Sequence, residues 1–339
     1  MNPFSDSTRR NAPGRGTLGP PWSEVARPIP VAHSSFPPSV PATSNHSLRP
    51  GLRPVVILGA PRSGTKLLRD LLGCSTGCTT IPYGVNHVWR RGLPPTAPDH
   101  RSAADATKQR RRRIRSALLD LMRPPRSPTP SYLVEKTCAN TLRVPFVERV
   151  LPDAHFIHIV RDGRDAAVSA RERWTRRPTL GYLLGKLRYT SLRDTSFLLR
   201  YLRNLWTGFL TDGHVQYWGP RYEGIREDVG KDSLLTVCAR QWEACVNRCL
   251  DDLATQPNDR VTVIRYESLV RNRATIERVI EALNLSDGDP IRTRYEAIVH
   301  DRSVGRWRRD LSPSDQETVD ALLKPTLRRI SEPPFSTLK

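Results

Sequence analysis

The sequence predicts an α/β protein: a parallel sheet with helices on both faces. Three features carry that prediction. Short apolar runs rich in β-branched residues alternate with segments of helical periodicity from residue 54 to about 330. The first run leads through a glycine-bearing loop into a helix. A later run, Ala154 to Val160, reads in the same way as strand, turn and helix. Parallel strands need crossovers, and helices are the usual crossovers.

The elements follow in order. Residues 1–53 mix Pro, Ser, Gly and Arg without periodicity and hold ten of the 30 prolines, which reads as a flexible tail. Pro54 to Ala60 is a buried strand. Residues 65–72 form a helix with Leu67, Leu68, Leu71 and Leu72 inward, ended by Gly73. Residues 95–130 hold a basic helical piece between Pro-rich loops. Tyr132 to Glu135 is a second strand, Thr141 to Val150 a helix and Ala154 to Val160 a third strand. A helix from Gly163 to about Trp174 is capped by Asp162, with Asp165 at its third position. Residues 176–232 interrupt the rhythm with aromatics and arginines, among them Tyr182, Tyr189, Tyr201, Trp206, Phe209 and Trp218, and read as a helical insertion. A helix over about 233–253 carries Leu235, Cys238, Trp242, Cys245, Cys249 and Leu253 on one face, a core stripe. Val261 to Tyr266 is a further strand, and a helix follows near 273–283. Ser312-Pro313-Ser314-Asp315 opens a last helix to about Arg329. Residues 54–330 thus read as one domain with an inserted cap, and 331–339 as a C-terminal tail.

Composition narrows the function classes. The longest apolar run, Val55 to Ala60, is far short of a membrane span, and residues 1–50 contain no apolar stretch of the signal-peptide kind. The six cysteines lack CxxC spacing and read as reduced thiols of a cytoplasmic protein. Lys and Arg number 54 against 34 Asp and Glu, a net charge of +20. That permits nucleic-acid binding, but the cations are mostly Arg and scattered, and only Lys108 to Arg115 forms a block, which reads as a solvated face. The charge equally suits a small polyanionic cofactor or an acidic polysaccharide.

The loop Gly59-Ala60-Pro61-Arg62-Ser63-Gly64-Thr65-Lys66 has the G-x-x-x-x-G spacing of a phosphate-binding loop, after a strand and before a helix. Its N–H groups and the helix N-terminus favour an anion. The ATP-binding version places Lys directly after the second glycine; here Thr65 stands there and Lys66 follows. The third strand ends in Arg161, not in an Asp that would hold Mg²⁺. Both departures speak against a nucleoside-triphosphate kinase. Arg161 and Ser169, eight residues on, can share one phosphate. Equally, Arg161 can pair with Asp165 while Ser169 packs.

These residues together resemble the sulfotransferases that use 3′-phosphoadenosine 5′-phosphosulfate (PAPS). Pro61-Arg62-Ser63-Gly64-Thr65 resembles their 5′-phosphosulfate loop, and Val160-Arg161-Asp162-Gly163-Arg164-Asp165 through Ser169 their 3′-phosphate motif. Glu135-Lys136-Thr137 with Asn140 is similar to the second-strand segment of the bacterial and tyrosylprotein-type branches. Tyr266-Glu267-Ser268-Leu269 and Gly305-Arg306-Trp307-Arg308 resemble a strand-end motif and the C-terminal segment. The resemblance implies a five-stranded P-loop-type sheet, PAPS as donor and no metal. It implies that Arg62 and the backbone of Ser63, Gly64, Thr65 and Lys66 bind the 5′-phosphosulfate, and that Arg161 and Ser169 bind the 3′-phosphate. Lys136 would then sit by the bridging oxygen or sulfuryl group, Tyr266 on the adenine side, and Ser303, Gly305 and Arg306 over the 3′-phosphate.

Relatives often take a Glu or His base from the segment after the first helix. Here that segment, Thr79 to Arg90, holds no Asp or Glu, so His87 is the first candidate and Glu135 the second, unless Glu135 is the ion-pair partner of Lys136. His155 and His158 read as sheet residues on opposite faces. No His/Cys/Asp cluster has zinc spacing. The insertion reads as a cap over the acceptor, a hydroxyl of a carbohydrate, peptide tyrosine or lipid. The rivals are a P-loop kinase and a basic nucleic-acid-binding protein.

Overall fold

A computed structural model describes residues 48–94, 96–176 and 218–331. Five parallel strands form one sheet: β1 (Arg53–Leu58), β2 (Cys78–Thr80), β3 (Tyr132–Glu135), β4 (His155–Val160) and β5 (Val261–Arg265). Their spatial order is β2-β3-β1-β4-β5. In register, Val55 lies beside Val134 and His155, and Ile157 beside Thr262. All strands point the same way, so the loops after β1, β3, β4 and β5 meet at one edge, where open α/β sheets bind ligands.

Helices cover both faces. On one face lie α1 (Thr65–Leu72), α8 (Tyr266–Arg271), α9 (Ala274–Ala282) and α10 (Asp289–Ile298), whose apolar residues pack on Val55, Ile57, Ile157 and Ile159. The other face is covered by α2 (Asn86–Trp89), α3 (Lys108–Asp120) and α4 (Val144–Val150), packed on Val56, Leu58 and Phe156. There too lie α5 (Gly163–Thr175), α7 (Leu234–Leu253) and α12 (Pro313–Arg329), with the short α6 (Ile225–Lys231) and α11 (Trp307–Asp310). Alternate side chains of one strand feed opposite cores, because side chains alternate along a strand.

The caps are local chemistry. The side chains of Asp162, Ser233 and Ser312 accept hydrogen bonds from the backbone N–H of Arg164, Thr236 and Asp315. Cys238, Trp242, Cys245 and Cys249 are buried, as the stripe predicts.

Several expectations change. Tyr266 does not end a strand; it begins α8. The helix expected from Thr141 is a 3-10 turn over Cys138–Leu142 followed by α4. The three-residue β2 and the whole of α10 were not expected. Leu48 and Leu52, placed in the tail by the sequence reading, are buried in the core beside Val56. Tyr182, Tyr189, Tyr201, Trp206 and Phe209, like most of the tail and the helical insertion, lie outside the described residues.

Candidate active site

The loop after β1 is wound tightly. Arg62 has φ +69° and Gly64 φ +89°. Left-handed residues at these two places turn the N–H groups of the loop toward a common side, the geometry of an anion nest. A β-carbon at Gly64 would lie 2.4 Å from the Tyr266 ring, and one at Gly59 2.7 Å from the Ile159 carbonyl. The two glycines therefore serve close packing as well as the turn. The first backbone hydrogen bond of α1 is donated by Leu68 N–H to Gly64, 3.1 Å, so the N–H groups just before Leu68 have no intrahelical partner. The Ser63 hydroxyl is buried and makes no hydrogen bond. The ammonium of Lys66 turns away from the loop and pairs with Asp70.

Arg62 donates from Nε to the Ser169 hydroxyl, 2.9 Å. Arg161 donates from Nη1 to the Arg62 carbonyl, 3.0 Å, and from Nη2 to the Ser303 carbonyl, 2.5 Å. Its Nε is buried without a partner. The Arg161 guanidinium lies 4.5 Å from the Tyr266 ring centroid, a cation–π contact, and 3.7 Å from the Asp165 carboxylate. Burial and the fields of Arg161 and Arg173 lower the Arg62 pKa. Cations thus converge at a loop whose polar atoms are not all satisfied by protein, and these residues fit a phosphate-bearing ligand.

A strap formed by residues 303–307 closes this side. Asp165 accepts from Gly305 N–H at 2.7 Å and from Trp307 N–H at 3.0 Å. It faces the strap rather than completing a cap on its own helix. Tyr266 Oη lies 2.7 Å from Ser303 Oγ. The Trp307 ring is flanked by the guanidiniums of Arg164 and Arg308, 4.1 and 4.5 Å from its centroid. Arg306 is neutralised by Glu172 and by Asp310, the latter at 2.7 Å.

The loop after β3 is held by a buried polar network. Glu135, 1% exposed, accepts from Trp89 Nε1 (3.2 Å), Thr137 Oγ1 (2.5 Å) and Asn140 Nδ2 (3.0 Å). Burial raises its pKa despite these donors and the cations Arg143 and Lys136. The network continues: Arg143 donates to Asn140 Oδ1 (2.9 Å) and Asn86 Oδ1 (2.5 Å) and lies 3.5 Å from the buried Asp99. Asp99 also accepts from Arg90 (2.6 Å) and from the Arg221 N–H (2.8 Å). Lys136 is half-buried and follows Glu135 directly; Cys138 Sγ lies 3.7 Å from Thr65 Oγ1. His87 is half-buried on α2.

The structure therefore brings together Arg62, Ser63, Gly64, Thr65, Arg161, Ser169, Tyr266 and Ser303. It holds Tyr266 as a pin between Gly64, Arg161 and Ser303, occupies Arg306 with two carboxylates, and buries Glu135 among three donors instead of in an ion pair with Lys136. Sequence reasoning missed Asp165 as the anchor of the strap, Arg173 near Arg62, and the Asp99–Arg143 network. Of the two readings of Arg161 and Ser169, the pairing with Asp165 is seen, at 3.7 Å, while the Ser169 hydroxyl accepts from Arg62. Among the described residues no group of three or more His, Cys, Asp or Glu is placed to hold a metal ion.

Residues 54–217 match the family model described as "Sulfotransferase family". Over that stretch, a little under half of its length, the chain is similar to the sulfotransferase family. No curated protein matches the chain. Among solved structures, the chain is similar to a sulfotransferase from Alicyclobacillus acidocaldarius, at 17% identity and TM-score 0.44, covering 83% of this chain and 94% of that one. It is similar to the sulfotransferase domain of the Synechococcus PCC 7002 olefin synthase, at 16% identity and TM-score 0.43, covering 83% and 97%. The sulfotransferase domain from the curacin biosynthetic pathway gives 13% and 0.41, covering 80% and 96%. Scores this low add no weight.

Proposed function

We propose that this chain moves the sulfuryl group of PAPS to an acceptor hydroxyl, with arginine and lysine carrying the counter-charge. The observation that supports it most is the convergence of Arg62 and Arg161 on a loop where Ser63 Oγ and Arg161 Nε are buried without partners. When bound, PAPS would supply an activated sulfuryl group and leave as adenosine 3′,5′-bisphosphate. Arg62 and the N–H groups of Ser63, Gly64, Thr65 and Lys66 would hold the 5′-phosphosulfate, and Arg161 with Ser169 the 3′-phosphate. Ser169 would exchange its bond from Arg62 for a ligand oxygen. Lys136 would face the charge that develops on the leaving oxygen. Asp165 and Tyr266 position the strap and Arg161, and Arg306 acts through the strap.

The acceptor hydroxyl must lose its proton as the new S–O bond forms. His87 is assigned as the base, since a ring of that type exchanges a proton near neutrality. Burial of Glu135 among three donors supports a positioning role for that carboxylate. Six unbridged cysteines support a cytoplasmic setting. No helix among the described residues is long and apolar enough to cross a membrane.

Calorimetric titration with adenosine 3′,5′-bisphosphate, with ATP and Mg²⁺ as control, tests the reading. Tight binding of the bisphosphate alone supports it. Binding of ATP alone would return the kinase, although the pairing of Lys66 with Asp70 disfavours that outcome. His87→Ala is expected to lower turnover roughly 100-fold with donor affinity unchanged; an unaltered rate would remove His87 from the mechanism.

A further inference from the structure

The helix α3 carries an unusual electrostatic load. Lys108, Arg110, Arg111, Arg112, Arg113 and Arg115 lie within its first eight residues, and its only carboxylate is Asp120, at the other end. Like charges at Lys108 and Arg112, and at Arg111 and Arg115, are spaced i,i+4, which destabilises a helix. Several arginines elsewhere are matched by carboxylates: Arg164 by Asp162 and Asp320, Arg240 by Asp228 and Asp232, Arg292 by Glu277 and Asp289. Among the described residues none of the six α3 cations forms an ion pair; Arg110 and Arg115 reach only the backbone carbonyls of Asp105 and Val150. Lys108, Arg112 and Arg113 are exposed.

A second observation lies at the N-terminal end of α3. Arg101 is 5% exposed and sits 5.0 Å above the Phe146 ring, donating once, to the Arg91 carbonyl at 2.9 Å. Its Nε and Nη1 are buried without partners, and burial together with Arg110 lowers its pKa to about 10. Arg91 in turn lies two residues beyond α2 and reaches the Arg113 carbonyl at 3.5 Å. The cationic surface is therefore continuous with the helix that carries His87. Thirteen residues of α3 span about 20 Å, the reach of a polymer rather than of one small anion.

We propose that α3, with Arg91 beside it, is a docking surface for an acidic polysaccharide. That such a chain would also be the sulfuryl acceptor rests on the function proposed above; the docking does not. The surface favours a polysaccharide over a single-stranded nucleic acid or an acidic peptide. Val229 on α6 is the one large apolar side chain that is exposed among the described residues, so α3 offers neither the aromatic platforms that single-stranded nucleic acids stack on nor the apolar anchors that peptide recognition uses. A polysaccharide presents charge at regular intervals and a hydroxyl on every sugar, so docking along α3 would still leave an acceptor group near α2.

The test is calorimetry of the full chain with a heparin fragment, a polyuronate of similar length, poly-glutamate and single-stranded DNA, each in the presence of saturating adenosine 3′,5′-bisphosphate. Heparin separates a sulfated from a carboxylate-only ligand. The combined variant Lys108→Ala, Arg112→Ala, Arg113→Ala changes exposed positions to the best helix former, so it keeps the fold. Expected are binding of at least one of the two polysaccharides, a loss of tenfold or more in the variant, and a shallower salt dependence. Binding of the bisphosphate by the variant should be unchanged. Equal or tighter binding of poly-glutamate or DNA, polysaccharide affinity unaffected by the variant, or no polysaccharide binding would each overturn the proposal. Failure of the bisphosphate itself to bind would instead remove the sulfotransferase reading, whatever the polysaccharide does.

Discussion

Two sets of arginines behave differently in this molecule. At the strand ends, Arg161 is pinned by two backbone carbonyls and a tyrosine ring, and Arg62 by the Ser169 hydroxyl. Along α3, exposed cations point into water with no carboxylate beside them. Pinning removes side-chain freedom before a ligand arrives, so a small anion of fixed shape can be recognised at little entropic cost. An unpinned row offers only field and density, which suits a long, repetitive polyanion. Both use one residue type; the scaffold behind the guanidinium makes the difference.

Substitutions can break that contrast. The largest effect is expected at the pinned set: Arg161→Ala should weaken binding of adenosine 3′,5′-bisphosphate about 100-fold or more, because charged hydrogen bonds are worth about 1.5–3 kcal/mol each. Calorimetry measures it, with Arg62→Ala as companion; unchanged affinity in both would refute the site.

A cation kept out altogether comes next. His158 is fully buried, with both ring nitrogens unpartnered, and burial lowers its pKa to about 4. The unfolded chain protonates this ring near pH 6.5. Between those values the unfolded state holds the extra proton, so stability falls as pH drops from about 6.5 to 4, by roughly 3 kcal/mol from this residue. His158→Phe should flatten the stability profile over that window in urea titrations at several pH values. An identical slope would show that the proton goes elsewhere; His155, also lowered to about 4, is the next residue to replace.

Gly64→Ala follows. Its positive φ alone costs about 1–3 kcal/mol for an ordinary residue, and the new methyl would press on Tyr266, the pin of Arg161. Both the thermal midpoint and bisphosphate affinity should fall; a normal affinity would show that the loop can shift without disturbing the cations. The smallest effect belongs to the unpinned row. Arg112→Ala or Arg113→Ala alone should change polysaccharide affinity by less than about fivefold, since one exposed charge contributes about 0–1 kcal/mol. A single change as costly as Arg161→Ala would erase the distinction.

Much of this was legible along the chain. The helix over residues 65–72 and its glycine stop were read correctly, because an apolar stripe and a terminator are local signals. The last helix, with Ser312 as cap and Pro313 first, was equally plain. β2 escaped because three residues carry no periodicity, and its strand character comes from pairing with β3. Tyr266 was read as the last residue of a strand; the chain instead turns there, and its ring packs against Gly64. Asp165 looked like half of a capping box, and a carboxylate at that position can do either job. The deciding partner, the N–H of Gly305, is 140 residues away.

By itself the sequence determined the alternation of strands and helices, the glycine loop after the first strand, and the order of the basic residues. Those depend on neighbours within a turn or two, and local sterics and hydrophobic periodicity suffice to set them. Only the tertiary structure decided which arginines are pinned and which stand free, that Trp89 from α2 joins Thr137 and Asn140 in enclosing Glu135, and that the strap closes on Asp165. Those outcomes depend on burial and on partners far apart in the chain, and neither exists until parallel strands bring their ends to one edge.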